Sequence, residues 1–489
     1  MHAHKTAQSN RQAIAATTPL DNKTGHWWHD RGLLKLNLLL FIPLMSEYVQ
    51  GYDASLINNV QQLKTWQNEF HHPQGSLLGI LSASYWIGNI LGVFLITKFS
   101  DGWGRRTAMF LGSSICIVGT ALVTGAVNAG MFIAGRLLLG IGGVLVGAIG
   151  PVLMAELAYP SHRATATAMS NTQYSTGAIV AAWITFGSFR MNSTWSWRIP
   201  SVFQALPSIF QAVGILFLPE SPRWLVSKGR NEKALEVLAH YHANGDREDP
   251  VVQYEYNEIC STIEMEIAAK QTKWSELWRT PGNRWRSFIM IWCGICKQWS
   301  GNGLVSYYLH SMLNSAGIKT ELQQTLITAT SQMFSLALFV EKGQSWSGSE
   351  SASYASVAFI YLYSGVHNLG WTGAMMVYVV EVLPYTLRAK GIALFWLLTG
   401  AAGAFNTYVN PLGLEAFDWK FYWFYIAWIA VEFVVVYIFF IETKGPSLEA
   451  VAMLFDGKDA TVGEVNKVVE AVKETKGGVE HVDVVEESR

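Results

Sequence analysis

Two stretches decide how this chain is read: Glu156–Ala164, ELAYPSHRA, and Glu381–Ala389, EVLPYTLRA. Both place Glu and Arg seven positions apart with a Pro between them. A second pair of motifs follows at matching distance. From Glu156 to Glu220 of PESPRWL (Pro219–Leu225) is 64 positions, and from Glu381 to Glu442 of IETKGPSLE (Ile441–Glu449) is 61. A pair of acid–base loops recurring at the same spacing marks an internal duplication.

Outward from these loops the chain is apolar. A bilayer core needs about 20 apolar residues per helix. Spans of that kind are expected near 34–55, 76–97, 107–126, 131–154, 166–188 and 197–218, then near 286–312, 324–340, 354–380, 391–413 and 420–441. Half of the 489 residues are apolar, only 15% are charged, and the mean hydropathy is +0.21. The expected fold is therefore an all-α polytopic membrane protein of two six-helix-bundle-type halves, the second apparently one helix short. Parallel repeats of this kind place a small-molecule site near the midplane, between the halves. The expected divisions are a cytoplasmic tail over 1–31, a first bundle over 32–218, a charged helical loop over 219–284, a second bundle over 285–443 and a tail over 444–489. The residues before Asp30 carry no apolar core with a cleavage site, so the first span is expected to direct insertion.

Lys98, Arg105, Arg106, Arg163 and the basic residues of 219–284 gather at alternate loops, which the positive-inside rule assigns to the cytoplasm. Lys64, Arg190 and Arg198 are the exceptions. Net charge is −1, which gives no electrostatic case for nucleic acid. Cys293 and Cys296 form a CxxC inside an apolar helical run, where core packing is the plainer reading than redox or metal chemistry. GIGGVLVG lies within a membrane helix rather than at a strand–helix turn, which argues against a nucleotide site, an enzyme or an ATP-driven pump.

The chain resembles the sugar porters of the major facilitator superfamily. The resemblance rests on GYD (Gly51–Asp53), DGWGRR (Asp101–Arg106), GRLLLGIGG (Gly135–Gly143), PESPRWL, SGNGLVSYY (Ser300–Tyr308) and ETKG (Glu442–Gly445), in this order across nearly the whole chain. The wording around QWSGNGLVSYYL and WTGAMMVYVVEVLP resembles the fungal lactose/cellobiose permease branch. One departure is large. Gly51 to Glu156 is 105 positions, whereas Gly301 to Glu381 is 80, and EKGQSWSG (Glu341–Gly348) stands where the second half should repeat Gly-Arg-Arg. A deficit of 25 is about one helix with its loop. The ninth helix of the family is the expected loss, and the chain as written is expected not to transport. Eleven spans would also carry Arg388, Lys390 and Lys444 to the outer side, against the charge rule.

The resemblance implies a role for particular residues. Asp53 would carry the coupling proton and Arg136 would be its partner; a static salt bridge is the plainer alternative. Asn171, Gln173, Gln298, Asn302, Tyr307, Trp371, Asn406 and Asn410 would line the sugar site, amides meeting hydroxyls and aromatic rings meeting C–H faces. Here the family's paired glutamines read Lys297-Gln298, its Asn after Gly-Ile is displaced to Asn302, and its tenth-helix Trp reads Met376. Asp101, Arg105, Arg106, Glu156, Arg163, Glu220 and Arg223, with Glu381, Arg388 and Glu442 in the second half, would latch the cytoplasmic side. Gly140, Gly143, Gly147 and Gly150 share one helix face, suited to a sliding contact or to close packing. The implied function is proton-coupled sugar symport without a cofactor, by a monomer in the plasma membrane whose partners are a sugar, protons and the lipid bilayer. A sugar sensor of the same fold and an inactive shortened product are the alternatives. The roughly 45 residues after ETKG favour transport, since sensors of the family tend to carry much longer tails.

Overall fold

The computed structural model describes residues 27–270, 274–301 and 385–441, with Met375, Tyr378, Val379, Val382, Leu383 and Phe455. Among the described residues every regular element is helical. The first half runs α1 (Arg31–Val60), α2 (Lys64–Glu69), α3 (Gly75–Trp103), α4 (Arg105–Thr124), α5 (Ala129–Leu157), α6 (Pro160–Ser188), α7 (Trp195–Phe203) and α8 (Ala205–Gly214). The charged interval follows as four helices: α9 (Pro222–Ser227), α10 (Asn231–His242), α11 (Pro250–Lys270) and α12 (Glu276–Arg279). Then come α13 (Pro281–Trp299), α14 (Tyr385–Phe417) and α15 (Tyr422–Phe439).

Local chemistry sets the helix starts. Asp30 caps α1 by accepting from Leu33 N, and Asn128 caps α5 by accepting from Met131 N. Thr280 caps α13, with Pro281 at its first position. A side-chain acceptor there satisfies an amide the helix leaves open, and Pro has no amide to leave open. Among the described residues five helices are long and apolar enough to cross a membrane: α1, α3, α4, α5 and the Lys390–Phe417 part of α14. Trp423–Phe439 is a shorter apolar helix.

The expected span at 197–218 is two helices, α7 and α8, that meet at Gln204. Pro207 has no N–H for the carbonyl of Phe203, so the ladder is interrupted there. The spans expected at 391–413 and 286–312 begin earlier, at Tyr385 and Pro281. The expected spans at 324–340 and 354–380 fall outside the described residues, apart from Met375, Tyr378 and Val379.

Glycine allows the helices of the first half to touch. A Cβ on Gly51 would lie 1.9 Å from the carbonyl oxygen of Tyr174 on α6, and one on Gly140 would lie 2.0 Å from that of Tyr85 on α3. Gly147 and Gly150 press instead against Gln50 and Ser46 of α1. The four-glycine face of α5 thus packs two helices, as close-contact small residues do. Two buried clusters fill the bundle, one around Trp66, Phe70, Phe132 and Trp197, the other around Met109, Leu145, Leu153 and Ile215. The second half meets the first where α14 lies along α3: Gly79 faces Tyr408, and Gly403 faces the Trp86 ring.

Candidate transport site

Asp53 and Arg136 meet in the interior of the first half. Arg136 Nη1 donates to both Asp53 oxygens, at 2.7 and 2.8 Å, and the two side chains are 5% and 3% exposed. The Arg136 guanidinium also lies over the Tyr85 ring, 5.2 Å from its centroid. Gln204 Nε2 donates to Asp53 Oδ1 at 2.7 Å. Three segments therefore converge on one carboxylate: α1, α5 and the break between α7 and α8. Two charges removed from water at this depth are stable only while they stay paired and hydrogen-bonded. Arg136 Nε and Nη2 and Gln204 Oε1 have no hydrogen-bond partner among the described residues. Gln204 was not anticipated from the sequence, although Pro200 and Pro207 flank it and mark the break.

A second polar centre lies in the other half. Asn406 Nδ2 donates to the carbonyl of Gln298 at 2.7 Å, and Tyr425 Oη contacts Asn406 Oδ1 at 2.7 Å and Asn410 Oδ1 at 2.5 Å. Gln298, Asn406 and Asn410 are buried. Tyr425, a residue not anticipated from the sequence, joins the Asn406 and Asn410 amides, and Asn406 in turn is tied to the backbone of Gln298. Nearby, Glu432 accepts from Ser300 Oγ at 2.9 Å and from Trp428 Nε1 at 2.6 Å. Gln173 is half-buried on α6, and Asn171 lies on the same helix. Asn302, Tyr307 and Trp371 fall outside the described residues.

The acid–base set of the first half converges at the end of the bundle where α3 passes into α4. Gly104 makes that turn with φ +102°, a conformation that favours glycine, and a Cβ there would lie 2.3 Å from Glu220 Oε2. Glu220 accepts from the backbone amides of Arg105 (3.1 Å), Arg106 (3.3 Å) and Ser221 (2.9 Å). It caps the start of α4, where amides are open and the helix dipole favours an anion. Burial nonetheless raises the Glu220 carboxyl above its ordinary value, against the lowering effect of these amides and of Arg105. Arg105 bridges Glu156 at 3.2 Å and Asp101 at 3.3 Å, and Trp224 Nε1 donates to the carbonyl of Asp101 at 3.1 Å. Arg106 donates to the carbonyl of Leu216.

Arg163 was expected in this cluster but joins a different one. It pairs with Glu255 on α11 at 3.3 Å. Glu255 is also 2.6 Å from His242 Nδ1, and His242 Nε2 lies 3.1 Å from the carbonyl of Leu157. This group ties the end of α5 to the charged helices. Arg223 is half-buried on α9. Arg388 lies on α14, and Glu381 and Glu442 are outside the described residues. At the opposite end, Arg198 donates to the carbonyls of Thr124 and Ala126 at 3.1 Å, closing the C-terminal turn of α4, and pairs with Glu69 at 3.6 Å.

Comparison with known proteins agrees with this architecture. The xylose transporter XylE of E. coli, in its inward-open conformation, superposes with a TM-score of 0.68 at 19% identity, covering 86% of this chain and 100% of that one. Among curated relatives, the MFS-type transporter criB of Aspergillus cristatus is 27% identical over 84% of this chain and 91% of its own length. High-affinity glucose transporter 1 of Candida albicans is 26% identical over 83% of each. The family profile described as sugar (and other) transporter matches residues 39–342 and 331–455. With a major facilitator fold and that match across most of its length, the chain belongs to the sugar transporter family, whose members are multi-pass membrane transporters rather than enzymes.

Proposed function

We propose that the chain is built as a proton-coupled sugar symporter of the plasma membrane, working by alternating access, for a hexose or a disaccharide such as lactose or cellobiose. The observation that carries this reading is the buried Asp53–Arg136–Gln204 contact between separate helices. While α1 and α5 are together, Arg136 balances the carboxylate. When they part, a carboxyl left in the apolar interior needs a proton in place of the guanidinium. The proton thus binds in one arrangement of the helices and leaves in the other. Glu220, Arg105, Glu156 and Asp101 hold the cytoplasmic ends in the arrangement seen here. The relatives, among them a high-affinity glucose transporter and a xylose transporter, support a sugar as the substrate. The sensor reading gains nothing from a buried proton-binding pair.

The shortfall in the second half is part of the same proposal. The family profile matches in two segments that overlap at 331–342, next to the Val340–Ser351 interval where this reading puts the loss. A Gly-Arg-Arg loop and about 20 apolar residues inserted between Val340 and Ser351 restore the family's spacing. We expect this restored chain, and not the chain as written, to accumulate sugar.

Asp53→Asn in the restored chain tests the coupling. The variant should exchange labelled sugar across a membrane yet fail to concentrate it. Accumulation against a gradient in that variant would remove Asp53 from the coupling role. Accumulation by the unmodified 489-residue chain at the rate of the restored one would show that nothing essential is missing.

A further inference from the structure

At the end of the bundle that holds Glu220, a cavity of about 600 Å³ opens between α4, the segment after α8, and α9 and α10. Its size is that of a small-molecule site. Its lining has two kinds of chemistry. Part of it is apolar and continues the membrane surface of the chain. Ser113 of α4 donates to Gln211 of α8 at 3.1 Å, and on these two helices Phe110, Val118, Phe210 and Val213 are exposed. Phe110, Leu216 and Trp103, all exposed, carry the apolar surface into the cavity. The rest of the lining is charged. Arg106, Arg230 and Lys233 belong to it, and none of them pairs with an acid among the described residues. Arg106 is held by the carbonyl of Leu216, and Arg230 lies over the Trp224 ring, 5.7 Å from its centroid. Two acids share the cavity. Glu220 is occupied by the amides of Arg105, Arg106 and Ser221. Glu236, three positions after Lys233 on α10, is exposed and has no partner among the described residues.

We propose that this cavity seats the headgroup and upper acyl chains of an anionic aminophospholipid of the phosphatidylserine type. Arg106, Arg230 and Lys233 take the phosphate and the carboxylate, and Glu236 takes the ammonium. The acyl chains run along Phe110 and Leu216 onto the apolar surface of α4 and α8. Three cations and one free acid complement a headgroup with two anionic groups and one cationic group. A soluble anion meets the cations but leaves the apolar lining in water, so an amphiphile is the ligand that satisfies both. The charge rule assigns this end of the bundle to the cytoplasm, and the cytoplasmic leaflet is the anionic one. Because α10 comes from the charged interval and α4 from the membrane bundle, the bound lipid fastens one to the other.

Binding of phosphatidylserine, carrying a fluorophore on one acyl chain, to the purified full chain in a non-ionic detergent tests this. Affinity is read against the lipid's mole fraction in the micelle, with thermal unfolding as the check on folding. Lys233→Gln and Arg230→Gln should each weaken binding about fivefold, the worth of one basic residue at an anionic surface. Lys98→Gln removes the same charge from α3, outside the cavity, and should stay within about twofold of wild type. Unlabelled phosphatidylserine should compete about fivefold better than phosphatidylglycerol, which has no ammonium, and Glu236→Gln should abolish that preference. Glycerophosphoserine, the same headgroup without chains, and inorganic phosphate should compete at least about a hundredfold more weakly. Arg230 directly precedes α10. If Arg230→Gln does not fold, the exposed Lys233 and Glu236 variants carry the test. Equal losses in Lys98→Gln and Lys233→Gln would reduce binding to general charge attraction and overturn the site. Competition by glycerophosphoserine or phosphate as strong as that of the lipid would make the cavity a soluble-anion site and overturn the lipid. Equal competition by phosphatidylserine and phosphatidylglycerol in wild type would overturn the assignment of the headgroup and the role of Glu236.

Discussion

The two halves bury polar groups in different ways. In the first half a carboxylate is met by a guanidinium: Asp53 and Arg136 at 2.7 Å, with Gln204 as a third partner. In the second half the buried acid Glu432 is met by neutral donors, Ser300 and Trp428, and the amides of Asn406 and Asn410 share one Tyr425 hydroxyl. A paired charge is costly to break and a neutral network is cheaper, because an orphaned ion loses more in an apolar interior than an orphaned dipole. The first half therefore buries a balanced charge pair, and the second a neutral hydrogen-bond network around one acid.

The largest effect expected from breaking this contrast is in the first half. Arg136→Ala leaves Asp53 without its cation and should lower stability by about 3–5 kcal/mol, read as thermal or denaturant unfolding in detergent. The double change Asp53→Asn with Arg136→Gln should recover most of that loss, since no charge remains unpaired. A single-variant loss below about 1 kcal/mol would mean that the pair is solvated in a way its burial does not suggest.

Tyr425→Phe should come next. It strips a shared donor from two buried amide oxygens, at a cost of about 1–3 kcal/mol by the same measurement. Glu432→Gln should cost less, about 1 kcal/mol, because an amide oxygen still accepts from Ser300 and Trp428. A loss from Glu432→Gln as large as that from Arg136→Ala would erase the distinction between the halves.

The smallest effect is a pH dependence at the end of the bundle that holds Glu220. Burial raises the Glu220 carboxyl above its ordinary 4.5. A group raised in this way binds its proton more tightly in the folded state. Between the raised value and 4.5, wild type should therefore gain stability relative to Glu220→Gln as pH falls, and that gain should be complete below 4.5. Unfolding temperatures of the two proteins across pH 7 to 4 read it directly. A difference that is flat with pH, or that widens in the opposite sense, would mean that the three amides outweigh burial.

Much of this was legible in the sequence, for stated physical reasons. Spans declare themselves by length and apolarity, and motif spacing ordered the halves. Asp53 and Arg136 stand out because ionisable residues at membrane depth are rare. Gln204 and Tyr425 were not legible: an amide and a phenol on apolar helices carry no signal until the partner helix is known. Arg163 was misplaced for a related reason. It was expected among the latch residues, but its partner Glu255 lies on a charged helix 92 positions away, beyond the reach of any local pattern. The close approach of α5 to α3 and α1 was half legible. The glycine face was visible, but its division between two helices depends on packing.

The central claim is that the Asp53–Arg136 contact couples sugar to protons, and proton flux tests it most directly. The restored chain, reconstituted in vesicles, should alkalinise a weakly buffered outer medium when glucose is added, as sugar and protons enter together. Asp53→Asn in the same vesicles should exchange labelled glucose and leave the outer pH unchanged. Sugar entry in the restored chain without any pH change, or an undiminished pH change in Asp53→Asn, would contradict the account.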